Sequence, residues 1–388
     1  MSVAMRTLCA LSFVAVLGAA DVRADPLDAA VGKALFDRQW IPAPSSTNGT
    51  DGLGPLFTSR SCTGCHARGD GAHVVMRDEG GADISGAVVR FGTADGETDP
   101  YYGLQLQTNA VQGLEPEGTD RFLPKLDYHL NGPPLGDRIH AGARLAPPLF
   151  GKASFDDVPD ELILQRAVTN AGNGGPVKGR ANVTPRGVGR YGWKAAHVSL
   201  AEQVSHAFAF DIGLSSPIFP LPYGDCTKLE TACLSSANGE SPLFEGREVS
   251  SVMIGVVASY LKTLRARSAG DAFALFAASG CAACHVPTLA TRDGRKIPAF
   301  TDLLLHDMGP ALDDGVGEPG VRPSEWRTAP LINGRLPSNR RRYLHDGSAG
   351  TVADAIEKHG GEGEHSRVLF EALTAEDKKR LVDYVNGL

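Results

Sequence analysis

Long runs of one charge are missing from this 388-residue chain, in which 38 Lys and Arg stand against 45 Asp and Glu for a formal net charge of -7. With no basic stripe to track a phosphate backbone, nucleic acid is not an expected partner. Beyond the first residues no apolar run is long enough to cross a bilayer, so no transmembrane anchor is expected. Cysteine is scarce as well: seven in the whole chain are too few for a disulfide-built scaffold. What remains, 42% hydrophobic and 21% charged, is the composition of an ordered globular protein long enough for two domains.

Arg6, the apolar stretch from Leu8 to Gly18 and the small-residue site Val22-Arg23-Ala24 read as a secretory signal over 1–24, which implies a periplasmic protein. Cleavage removes Cys9 and leaves six cysteines. Cys226 and Cys233 sit in one Gly/Pro/Thr-rich loop and read as a local disulfide, because a catalytic dithiol would need the C-x-x-C spacing that lowers a thiol pKa. The other four lie in Cys62-Thr63-Gly64-Cys65-His66 and Cys281-Ala282-Ala283-Cys284-His285.

Two thiols one turn apart can each take up one vinyl group of a haem, and an imidazole that follows at once can reach the iron. Far less than one chance match to C-x-x-C-H is expected from 7 cysteines and 11 histidines, yet two occur. A zinc ribbon would place its two pairs about 15–20 residues apart, and a thioredoxin-like pair would need a strand-to-helix setting. Two covalently bound haem c groups are therefore expected. Cys62 and Cys65 hold one with His66 as axial ligand, and Cys281 and Cys284 hold the other with His285.

Four blocks recur in the same order in the two halves. Leu56-Phe57 before the first motif matches Leu275-Phe276 before the second, and the segment from Arg144 to Gly151 matches that from Arg327 to Gly334. Arg190-Tyr191 and Arg342-Tyr343 each lead into a helix opened by a capping box, Ser199 with Glu202 and Thr351 with Asp354. Tyr260 to Leu264 then matches Tyr384 to Leu388. The expected fold is mainly α: two cytochrome c-like domains, over 25–266 and 267–388, with the boundary near Arg267 to Gly270. A Gly-rich insertion over about 67–140, with alternating runs at 87–91 and 102–106, reads as β-hairpins laid on the first domain. A helix is expected over 26–36, with Asp25 as N-cap and an apolar face of Leu27, Ala30, Val31, Ala34 and Leu35.

The halves differ where chemistry would sit. When Arg190 is aligned on Arg342, Trp193 falls on His345 and Ala207 on His359. Val352, Ala355, Ile356 and His359 follow a helical period, which puts His359 on a buried face as a distal ligand to the second haem. Met308 is the rival ligand, with His306 behind it. The first haem has only a methyl group at the corresponding place, so its iron is expected to be open to a small oxidant such as hydrogen peroxide. His206 and His140 are alternative ligands there, with a solvated histidine as the plain reading of each. Asp211 is the candidate proton carrier for O–O cleavage or else a turn-capping residue, and Trp193 is a relay or a packing residue.

Gly54-Pro-Leu-Phe before the first motif, Tyr102-Gly-Leu-Gln-Leu-Gln107, Arg144 to Gly151, Gly189-Arg-Tyr-Gly-Trp-Lys-Ala195, Leu305-His-Asp-Met-Gly309 and Tyr343-Leu-His-Asp-Gly347 together resemble the bacterial di-haem oxidoreductase family of peroxidase type. The chain is similar in this way to di-haem cytochrome c peroxidases and to the methylamine-utilisation di-haem enzyme. The resemblance implies one peroxide-reacting haem and one electron-transfer haem. It carries a tryptophan between the haems onto Trp193 and, across a small gap, an acidic peroxide-site residue onto Asp211. Relatives place Met or Tyr where this chain has His359. The resemblance also brings in calcium between the domains, for which no ligand motif is found. Partners would be a periplasmic electron donor, a small cytochrome or cupredoxin, or a protein substrate. A pure electron carrier and an oxidase of a partner's side chain through Trp193 are the competing functions.

Overall fold

The computed structural model describes residues 25–46, 49, 51–78, 80–172, 175–266 and 273–388. The expected signal over 1–24 and the expected boundary at Arg267 to Gly270 lie outside the described residues. Helices are α1 Pro26–Asp37, α2 Asp160–Gly172, α3 Leu200–Ala207, α4 Ser251–Thr263, α5 Phe273–Ala278, α6 Val352–Glu357, α7 Glu364–Glu371 and α8 Ala375–Gly387, with shorter turns between them. None of the described helices is long and apolar enough to cross a membrane.

The expectation of a mainly α, cytochrome c-like fold is overturned. Helix accounts for only 33% and strand for 18%, and the strands pair as seven two-stranded sheets among the described residues. The cause lies in the 46 glycines and 25 prolines, which cut the chain into short pieces. Antiparallel strand pairs also occur well outside the insertion, at Thr288–Ala290 with Lys296–Pro298 and at Leu305–Asp307 with Glu325–Arg327. Inside the insertion, Ala87–Gly92 is a strand, but it pairs antiparallel with the distant His140–Leu145 rather than with a hairpin neighbour. The run at 102–106 forms mostly turn and bridge, with Gln105 bridging Arg90.

Asp25 caps α1 as predicted, its Oδ1 accepting from Leu27 N at 2.8 Å. The buried face differs: Gly32, Leu35 and Phe36 point inward, while Leu27 and Val31 are 70% and 45% exposed. Gly32 sets this rotation, because α1 presses against α4 so closely that a Cβ there would lie 1.8 Å from the Val256 carbonyl oxygen. The largest core gathers Leu35, Phe36, Trp40, Val204 and Phe208 with Leu289, Leu303 and Leu304 from the second half. A second core lies under the insertion around Val89, Phe91 and Tyr102, and a third joins Phe276, Phe300, Phe370 and Leu381 near the C-terminus.

The internal repeat is visible in the backbone. Tyr191 bridges His197 just before α3, and Tyr343 bridges Ala349 just before α6. Ser199 accepts from Glu202 N, and Thr351 with Asp354 forms a complete capping box. Cys226 and Cys233 are disulfide-bonded, as their spacing suggests. Replacing Gly32→Ala should force α1 off α4 and lower the unfolding free energy by about 1–3 kcal/mol. Equal midpoints in a urea titration would show that the two helices do not meet this closely.

Candidate functional site

Each Cys-x-x-Cys-His segment is a single tight turn. Ser61 Oγ caps the first by accepting from Gly64 N at 3.2 Å, and His66 N closes it onto Cys62 O at 2.9 Å. The second repeats the closure, His285 N to Cys281 O at 2.9 Å, after Gly280 has turned the chain with a φ of 77°. One turn of helix puts the paired sulfurs on one side. Both segments open into one cavity of about 620 Å³ that Trp193, Asp211, Met308 and His359 also line. The sequence-predicted residues therefore converge, although the two motifs lie in opposite halves of the chain. His140 does not join them; it is exposed at the start of its strand.

The thiols facing this cavity are unpaired. Burial raises Cys62 and Cys65 to about 12, with the charge of Asp211 adding, and raises Cys281 to about 11. A redox dithiol needs the opposite shift. Burial pushes His66 and His285 down to about 4 and lowers His359, so all three imidazoles are neutral and keep a lone pair. In His285 the Nδ1 faces Phe300 O at 3.1 Å, and in His359 it faces Ala355 O at 2.7 Å. An Nδ1–H held by a carbonyl leaves Nε2 bare, the arrangement of a metal-ligating histidine. His66 Nδ1 is buried without a hydrogen-bond partner.

The two halves part at the position read from the repeat. The second-half helix α6 ends at Glu357, earlier than the periodicity implies, yet the His359 ring still reaches back to Ala355. Met308 competes closely: a Cβ on Gly363 would meet Met308 Cε at 3.0 Å and His359 Cβ at 3.1 Å. In the first half, α3 runs on past Ala207 into a π turn, Phe208–Ile212, that carries Asp211. Thr58 and Ser59, leading into the first motif, each donate a backbone N–H to Asp211 O at 2.9 Å. The Asp211 carboxylate accepts from Gln105 Nε2 at 3.1 Å, and burial raises its pKa against the pull of Arg90. His206 is not the solvated histidine of the plain reading; it is buried, stacked on Phe210 at 4.4 Å and close to His197 at 4.6 Å.

Over residues 131–388 the chain matches the family described as "Di-haem oxidoreductase, putative peroxidase". The chain belongs to the di-haem oxidoreductase family. Neither curated proteins nor solved structures yield a match. The family implies two haems, and the cavity suits them. Beyond thiols and bare imidazole nitrogens, its wall holds Arg190 and Arg341, each with a buried Nε that lacks a partner. Lys152 lies near His66, lowered to about 7 by burial and by Arg327. Arg190 already has Asp160 as its ion-pair partner, while Arg341 donates to the Asn386 and Gly334 carbonyls; the carboxylates of a haem edge would give Arg341 and Lys152 an anion.

Calcium does not fit as well. Among the described residues the cluster able to hold a metal is Cys284, Asp302 and His306, whose sulfur and imidazole do not suit a hard cation. His306 is moreover fully engaged, with Nε2 on Asp302 at 3.0 Å and Nδ1 on Glu362 at 2.8 Å, which also removes it as a free iron ligand.

Sequence reasoning missed the groups that surround the tryptophans. Trp193 donates Nε1–H to Leu145 O at 2.8 Å and stands edge-on to His345 at 6.4 Å, so two repeat-equivalent residues touch. Trp326 stacks on His345 at 3.6 Å, and Lys194 Nζ lies 3.4 Å from its ring centroid. Both Trp326 and Lys194 adjoin repeated blocks, which was the available signal; Arg90, a lone charge in an apolar strand, was another.

Burial opposes charge on His306, but its bonds to Asp302, Cys284 and Glu362 prevail and push it from 6.5 up to about 12. This clamp stabilises the fold fully below about pH 6.5 and is lost as pH rises toward the folded-state value. Unfolding free energy should therefore fall on raising the pH from about 7 to about 10, and His306→Gln should flatten that fall. Parallel pH profiles for the two proteins would contradict a charged clamp.

Proposed function

We propose that this oxidoreductase is an exported, periplasmic protein with two covalently attached haems that reduces a peroxide, one haem open and one closed on both sides. The observation that carries this reading is the divergence at Ala207 and His359, where one half presents a methyl group followed by a buried acid and the other an imidazole tethered through Nδ1. Bound haem would supply the redox chemistry, holding electrons and binding a small oxidant at an iron with one free face.

The chain's own residues then divide the work. Cys62 and Cys65, and Cys281 and Cys284, are the thioether-forming pairs. His66 and His285 would each hold a haem iron, and His359 would be a further ligand in the second site, with Met308 beside it as the alternative. Peroxide takes up two electrons and two protons to give two waters, so the open site needs a proton carrier. Asp211 suits that role: burial keeps its carboxyl neutral to higher pH than usual, and Gln105 fixes one oxygen at 3.1 Å. Trp193 stands edge-on to His345 of the second half at 6.4 Å, which supports a role in passing electrons between the halves. The electrons come from a periplasmic donor, a small cytochrome or cupredoxin.

Asp211→Asn keeps the shape and the Gln105 contact but removes the proton. Peroxide-dependent oxidation of a reduced cytochrome should slow by about 100-fold or more at unchanged haem content, followed by stopped flow. An unchanged rate removes Asp211 from the chemistry, and a native protein inert to peroxide removes the peroxidase reading itself.

A further inference from the structure

Trp193, His345 and Trp326 form a three-ring unit on the wall of the shared cavity. Its two indoles sit in different electrostatic surroundings. The His345 ring lies nearly parallel to Trp326, 3.6 Å away at 12°, and fills one face. Lys194 Nζ is 3.4 Å from the same centroid, too close to share that face, so it occupies the other. The amine donates to three backbone carbonyls, Arg322 O at 3.0 Å, Pro323 O at 2.6 Å and Glu325 O at 2.8 Å. Burial and the nearby Arg144 lower this amine to about 7, but three donated bonds require three N–H groups, so the three carbonyls hold it as the ammonium ion. Arg144 adds a second cation 4.7 Å from the ring centre, although Asp314 is paired with it. Among the described residues the cations that contact these two indoles fall on Trp326, and Trp193 has only its bond to Leu145 O and the edge of His345.

We propose that Lys194 is a positioning residue for electron transfer: its ammonium on the face of Trp326 makes that ring hard to oxidise and confines the oxidised state to Trp193. A cation over an indole is attracted by the neutral ring and repelled by the ring after it has lost an electron. The low-dielectric setting strengthens both effects, because neither ring faces bulk water freely. His345 cannot remove the bias by taking the positive charge itself, since burial and the nearby Arg144 and Lys194 hold it neutral. Trp326 thus spaces and stacks the unit without carrying charge, and oxidising equivalents do not escape through it. The inference rests on the electron-transfer role of Trp193 given above.

Two oxidants test it on the haem-loaded protein. Peroxide without a donor draws its two electrons from the protein. A ruthenium(III) tris-bipyridine complex generated by light and persulfate takes one electron from an indole and returns to ruthenium(II), and this needs no peroxide chemistry. In both cases an indole that gives up two electrons and two protons, to one peroxide or to two ruthenium(III) complexes, takes up one water molecule and is read as hydroxytryptophan by peptide mass spectrometry.

In the native protein oxygenation at Trp193 should exceed that at Trp326 by about 10-fold or more. Lys194→Met should bring the ratio toward one, and Lys194→Arg, which keeps the cation, should restore it. A native ratio near one overturns the proposal even if the Met variant fails to fold, and so does a ratio that Lys194→Met leaves unchanged. If peroxide oxidises neither ring while the ruthenium ratio still follows the charge at 194, the peroxidase reading fails and this inference stands.

Discussion

A shared interior cavity organises this molecule, because the groups that line it call for a ligand of matching chemistry. Imidazoles held neutral, cysteine sulfurs outside any disulfide and the Nε atoms of Arg190 and Arg341 all line it. Isolated polar groups in such a place cost free energy, and they persist only where a ligand of complementary chemistry fills the space. A flat macrocycle with an iron centre, two vinyl arms and acidic edges answers each of these groups at once. The folding of the two halves and the binding of cofactor are thus one problem, and contacts across the cavity, such as Leu145 N to His345 O at 2.8 Å, belong to its solution.

The duplicated design is kept where it shapes the backbone and broken where it lines the cavity. Each half uses an antiparallel bridge, a capped helix start and a closing turn around its cysteines. Past the helix the halves use the same length of chain differently. The first continues into a π turn held by Thr58 and Ser59, which brings an acid to the first motif; π turns recur at functional sites because they re-aim a side chain at little cost. The second stops short and tethers an imidazole to its own helix through Ala355. Equal scaffolds with unequal ends give the two halves different groups to present to the shared cavity.

Local signals were the most legible in the sequence. The Asp25 cap, both helix starts and the Cys226–Cys233 bridge follow from short-range chemistry, and the structure repeats them. Long-range facts were not legible. Nothing in the run at 87–91 says that its partner is His140–Leu145, and the inward face of α1 depends on how closely Val256 approaches Gly32. The mainly α reading failed because haem-binding motifs speak for a cofactor, not for the secondary structure that surrounds it. Nor does the run from Gly189 to Ala195 say that Lys194 meets three backbone carbonyls and the Trp326 ring, all more than 120 residues away.

Inequivalent irons are the central claim, and the most direct measurement is electron paramagnetic resonance of the purified ferric protein joined to a carbon monoxide titration of its reduced form. One high-spin and one low-spin signal, with one carbon monoxide taken up per chain, are predicted by an open centre beside Ala207 and a closed one at His359. Two low-spin signals and no uptake would contradict that assignment and leave a protein that only carries electrons.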